Sequence, residues 1–178
     1  MFSRLPLSDQ QTDYLGGRIT GELSSHLGSF HIIIGRQVRD YHNLYESYAS
    51  AVISLQTAFF LPVNTYLSSS SSSEKNTFRP LDEVNYENNL KNLLTGRDTV
   101  GLRNYTGELL SALTLEKERI LPNQVKDLYY RLHLMLWSTA RSMQPDPEEA
   151  MNSSVIWNDI NSCNTIYELD RLLTGNIS

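Results

Sequence analysis

Cysteine is nearly missing from this chain. Its 178 residues include a single one, Cys163. No internal disulfide framework can form, and a lone thiol suits a reducing compartment. Long apolar runs are missing too: none approaches the roughly 18 residues of a membrane helix. The opening stretch MFSRLPLSDQQTDYLGG lacks the apolar core of a signal peptide. These absences lead to the expectation of a cytoplasmic protein with no membrane partner. The sequons at Asn104, Asn152 and Asn176 then read as chance matches.

Basic charge is also in short supply. Lys and Arg number 15 against 20 Asp and Glu, a net charge of −5. The bases are scattered: Arg36 and Arg39 near a strand end, Arg97 and Arg103 at a helix start, Arg131 and Arg141 along one helix. This argues against a nucleic-acid surface spread over the chain, and no direct nucleic-acid contact is expected. The phosphate-cradling loops GxxxxGK[ST] and GxGxxG are absent, as is the GxSxG elbow. The only Gly-Gly pair, Gly16-Gly17, is followed by Arg18 and Ile19, not by acids. His26, His31 and His42 are isolated, with no metal-ligand spacing. Cys163 has no obvious His partner in sequence, and spatial pairing with His133 stays open. The expectation is a protein that is not an enzyme, with no catalytic, cofactor-binding or metal residues and no cofactor.

Apolar periodicity is what the chain does have. Residues 30–34, FHIII, are β-branched and close on Gly35, the pattern of a buried strand. Asp40 offers a helix cap. Behind it Tyr41, Leu44, Tyr45, Tyr48, Val52, Leu55 and Phe59 recur at helical steps and predict one wide apolar stripe. Pro62 stops the pattern, and residues 63–67 can form a second strand. Upstream, Leu15, Ile19, Leu23 and Leu27 predict a helix weakened by Gly16, Gly17 and Gly21, each costing about 1 kcal/mol. Such a helix needs tertiary packing, and the strand that follows is the expected support.

Residues 68–73 are all serine. Such a tract buries too little apolar surface to offset its ordering entropy, so 68–77 reads as a flexible linker. Beyond it the chain looks helical. Asp82 caps one helix that Gly96 ends, and Asp98 or Thr99 begins another that runs to about Leu115. Pro122 sits at a favoured first-turn position. From it a helix over 122–143 carries Val125, Leu128, Tyr129, Leu132, Leu136, Ala140 and Met143 along one face. Leu134, Met135 and Trp137 widen that face, so this helix is expected to be the central post of a bundle. Val155, Ile156, Trp157 and Ile160 predict a short helix. Thr165 and Glu168 form a capping box ahead of Ile166, Leu169, Leu172 and Leu173. Tyr129, Tyr130, His133 and Trp137 fall on neighbouring turns and could line a ligand pocket, although aromatics at this spacing usually belong to a core.

Two strings carry a resemblance. Ile34-Gly35 followed by Leu44, Ser47, Tyr48 and Ala51 resembles the strand and helix of a degenerate GGDEF-type domain, with Ser54-Leu55 in place of a final Ala-Leu. Phe78, Pro80, Glu87, Leu90 and Gly96-Arg97-Asp98 resemble the segment that follows such domains in bacterial AraC-family transcription regulators. The ending WNDINSCNTIYELDRLL is similar to the stretch before their helix-turn-helix domain. The resemblance implies a non-catalytic regulatory segment of a response-regulator type protein, as in two-component signalling. It would relay a signal between a receiver or sensor and a helix-turn-helix domain, with a homodimer as one arrangement. The expected fold is α+β, mainly α. Residues 1–67 would be the trailing part of a degenerate GGDEF-like α/β domain, 68–77 a linker and 78–178 a helical module. A stand-alone helical protein that binds a ligand or peptide is the alternative.

Overall fold

Ser8 opens the first element: its hydroxyl accepts from the Gln11 amide while the Gln11 side chain accepts from the Ser8 amide. This reciprocal box starts α1, Asp9–Ser24. The computed structural model describes residues 7–69, 79–143 and 153–175. The chain divides into two compact units, Met1–Asn76 and Thr77–Ser178. The described residues give an α+β fold that is mainly α: a small strand–helix–strand portion, then a helical bundle.

In the first unit β1, His31–Ile34, pairs in parallel with β2, Thr65–Ser68, with His31 opposite Thr65 and Ile34 opposite Ser68. Between them run a 3-10 turn, Tyr41–Asn43, capped by Asp40, and α2, Leu44–Ala58. Asn64, in the left-handed region at φ 61°, clamps the strand entry. Its amide donates to the Phe30 carbonyl at 2.8 Å, and its side-chain oxygen accepts from the Phe30 amide at 3.3 Å.

Both helices of this unit pack by their small residues. Gly16 of α1 is buried against the ring of Tyr66 on β2. Gly35, just after β1, lies on the Ser47 carbonyl of α2, where a Cβ would collide with that oxygen and sit 2.7 Å from the Ser47 hydroxyl. Ser50 continues the seam: its hydroxyl accepts from the Arg36 amide and donates to the Ser47 carbonyl, both at 2.7 Å. Ser54 and Ala58 are buried one and two turns on. Side chains alternate across a strand, and Tyr66 meets α1 while Ser69 meets Ser50 of α2. Each of the two helices packs on both strands.

This packing corrects two expected faces. Tyr41, Leu44, Tyr45, Tyr48, Val52 and Leu55 do share one side of a helix, but that side is exposed; only Phe59, at the end, is buried. Leu15 and Ile19 of α1 are exposed as well, and so is Leu27, which lies past the end of that helix. The close approach of helix to strand at Gly16 and Gly35 admits only small side chains at the contact and turns the large ones outward. α1 also packs on both strands, not on β1 alone. The expected linker is corrected at its start: Ser68 belongs to β2, and Ser69 is buried with its hydroxyl 3.3 Å from that of Ser50. The remainder of that expectation, from Ser70 onward, lies outside the described residues.

The second unit contains α3, Glu83–Gly96, α4, Thr99–Leu115, α5, Pro122–Met143, α6, Ser153–Ser162, and α7, Ile166–Gly175. Asp82 caps α3 by accepting from the Asn85 amide, and Asp98 caps α4 by accepting from Gly101. Arg97 takes the left-handed turn between them at φ 51°, a place where glycine is usual. α5 packs on α3, α6 and α7, and α4 packs on α3 and α7. The core contains Leu90, Leu109, Leu113, Leu128, Leu132, Ile160, Ile166, Leu169 and Leu173, all essentially without exposure. Each such side chain contributes roughly 1.5–3 kcal/mol relative to leaving it in water. Leu172, expected on the buried face of α7, is 37% exposed. At the start of α7 the Glu168 amide donates to the Thr165 hydroxyl, but the Glu168 carboxylate accepts from Asn164 at 2.6 Å, one residue earlier than the expected box. Among the described residues no helix is long and apolar enough to cross a membrane.

Candidate functional site

The polar groups of the helical unit gather along α5. Pro122 starts this helix without an amide to leave unpaired, and Gln124 reaches back to accept from the Leu121 amide at 2.8 Å. From there Val125, Leu128, Tyr129, Leu132 and Leu136 form the buried line, with His133 beside it. Tyr129 has no exposure, and its hydroxyl has no hydrogen-bond partner among the described residues. Burial, then the neighbouring charge of Asp170, pushes its pKa well above the usual phenol value. Asp170, on α7, is itself raised above the usual carboxylate range by burial, and its Oδ1 has no hydrogen-bond partner among the described residues.

His133 links α5 to α7. Its Nδ1 lies 2.7 Å from the Tyr129 carbonyl of its own helix, and Leu172 of α7 lines the same cavity. Burial disfavours the charged ring and outweighs the backbone groups of Tyr129 and Leu172 that favour it, so the imidazole is held below its usual value.

His133 also lines a cavity of about 280 Å³ with Ile156, Asp159, Ile160, Arg171, Leu172 and Gly175. The lining joins a carboxylate, a guanidinium and an imidazole to apolar walls, a set that can orient a small polar molecule. The volume falls just below the range of about 300–1,000 Å³ usual for ligand pockets.

The four residues expected to share a pocket do not meet in one. Tyr129 is core. Tyr130 packs edge to face on Trp157, with centroids 5.1 Å apart. Trp137 is half-buried under the Arg141 guanidinium, 5.2 Å from its ring centroid. Only His133 reaches the cavity. Spacing on one helix puts four side chains on neighbouring turns, but the packing of α6 and α7 sends them to different surroundings. Asp159 and Arg171 line the cavity too, and no motif or spacing in the sequence singles them out. Their convergence depends on how two separate helices pack, and no local pattern signals it.

Cys163 and His133 do not form a pair. The Cys163 thiol is buried, donates to the Asp159 carbonyl at 3.3 Å, and has its pKa raised by burial and by Glu168. A thiol so placed is a poor nucleophile. Among the described residues no group of three or more His, Cys, Asp and Glu is placed to hold a metal. Several arginines are already engaged: Arg36 with Glu46, Arg79 with Glu116, and Arg131 with both Glu83 and Glu87. No family model, curated protein or solved structure matches the chain.

Proposed function

We propose that the chain is a non-catalytic, cytoplasmic relay segment of a bacterial AraC-type transcription regulator. In this reading it couples a receiver or sensor to a helix-turn-helix domain and makes no DNA contact itself. The observation that carries the reading is the seat of Gly35 on the Ser47 carbonyl. Gly35 and Ser47 both belong to the strand-and-helix string that resembles the degenerate GGDEF region, and they depend on each other physically. A side chain at Gly35 would drive α2 off the strand, so the spacing from this glycine to this serine is a packing requirement. The order of the two units, strand–helix–strand before helices, is also the order of the two resembling strings. The ion-paired arginines support a surface that does not read DNA, since phosphate binding needs bases free to displace counterions.

A titration of labelled duplex DNA at low salt, paired with an assay of GTP turnover in magnesium, tests the reading on the chain alone. The expected result is weak DNA binding and no turnover. Tight binding that falls steeply with salt would make the chain a DNA reader, and metal-dependent turnover would make it an enzyme. The alternative, a helical ligand-binding protein, has one observation in its favour: the cavity that joins His133, Asp159 and Arg171.

A further inference from the structure

The exposed face of α2 is too apolar and too large for an ordinary free surface. Tyr41, Leu44, Tyr45, Tyr48, Val52 and Leu55 lie along one side of the turn and helix, and Tyr45 is 78% exposed, Tyr48 68% and Tyr41 67%. A tyrosine presents about 150–250 Å². With the three aliphatic side chains the stripe leaves on the order of 700 Å² open, more than the largest apolar patch of most monomers. We infer that this face joins two copies of the chain in a homodimer, α2 against α2.

Three observations select a second copy as the occupant. The first is area: roughly 800 Å² per partner is what a standard stable interface buries, and the stripe supplies nearly that from one helix. The second is charge. α2 has one charged residue, Glu46, and it is ion-paired with Arg36. The face therefore has no sign that would repel its own copy or choose an oppositely charged partner. A lipid surface fits poorly for the same reason, because interfacial helices carry Lys and Arg on their polar side. The third is symmetry. Tyr48 stands midway between Tyr41 and Leu55, so two copies laid antiparallel about Tyr48 bring the Tyr41–Leu44 end of one onto the Val52–Leu55 end of the other. That is the self-complementarity a two-fold interface requires.

The dimer rests on the surface alone. Its meaning as the arrangement through which a signal passes rests on the relay reading above. Sedimentation equilibrium of the full chain is expected to give twice its 20.3 kDa. Tyr45→Glu with Tyr48→Glu is expected to give the monomer mass with an unchanged far-UV spectrum. Tyr14→Glu, on the exposed side of α1, should stay dimeric. Should the double variant unfold, Tyr48→Cys decides: under mild oxidation it is expected to form a disulfide-linked dimer, since a residue on the two-fold meets its own copy. A wild-type chain that is monomeric at all concentrations overturns the inference. So does a dimer that survives the double substitution, or one that Tyr48→Cys fails to cross-link. A monomer would leave the relay reading standing. DNA binding or GTP turnover would remove the relay reading and leave the dimer.

Discussion

Gly16 of α1 meets the ring of Tyr66 of β2 so closely that a Cβ there would lie 2.6 Å from Cδ2 and 2.9 Å from Cγ. Its neighbour Gly17 has nothing within 4 Å of the same position. Two adjacent glycines in one helix should therefore respond oppositely to alanine. Gly17→Ala should stabilise the first unit by about 1 kcal/mol, the helix-propensity gain. Gly16→Ala should cost about 1–3 kcal/mol, as overpacking does. Urea unfolding of both variants checks this, and equal effects would mean that α1 does not rest on β2.

Leu132→Ala should destabilise the helical unit by about 2–5 kcal/mol, because Leu132 is fully buried and its removal opens a cavity. Trp137→Ala should cost less, since Trp137 is only half-buried beneath Arg141. Thermal and denaturant unfolding would measure both, and the reverse order would show that α5 turns Trp137, not Leu132, into the core.

Tyr129→Phe should leave stability unchanged or raise it by about 1 kcal/mol, because an unpartnered buried hydroxyl opposes folding. A loss of more than about 1 kcal/mol would show that the hydroxyl makes a bond in solution, with Asp170, whose charge acts on Tyr129, as the candidate.

The helical unit was largely legible in the sequence, and the first unit only in part. In α5 the apolar period and the buried line coincide from Val125 to Leu136, because Leu128 and Leu132 face neighbouring helices through large side chains, whereas Ala140, expected on the same face, is exposed. Pro122 and Asp98 marked helix starts by backbone chemistry that needs no tertiary knowledge. In α2 the same period picked out Tyr45 and Tyr48, yet the buried side is Ser47, Ser50, Ser54 and Ala58. Hydrophobicity shows which face avoids water, not whether its cover comes from the same chain. The small-residue face was visible, but only the approach of Gly35 to Ser47 makes it the inner one. The cavity was not legible, because Asp159, His133 and Arg171 come from three helices.

Stability should fall in mild acid through His133. Its folded pKa is lowered, so below about 6.5 the unfolded chain takes up a proton that the folded chain refuses. The helical unit is then fully stable above that value and loses stability as pH drops through it. Asp170 works in the opposite sense, because its folded pKa is raised. Its contribution is fully present below about 3.8 and is lost as pH rises toward its folded value. Asp170→Asn should therefore stabilise at neutral pH, with the gain vanishing in strong acid, and His133→Gln should flatten the slope near pH 6.5. Unfolding free energies measured across pH for the three proteins check both, and parallel curves would contradict them.

The claim that the chain relays a signal inside an AraC-type regulator is tested most directly by determining the coding sequence on either side of it. One continuous frame is predicted, with a receiver or sensor encoded before Met1 and a helix-turn-helix domain after Ser178. A frame that opens at Met1 and closes after Ser178, with neither domain joined to it, would contradict the relay and favour the helical ligand-binding protein.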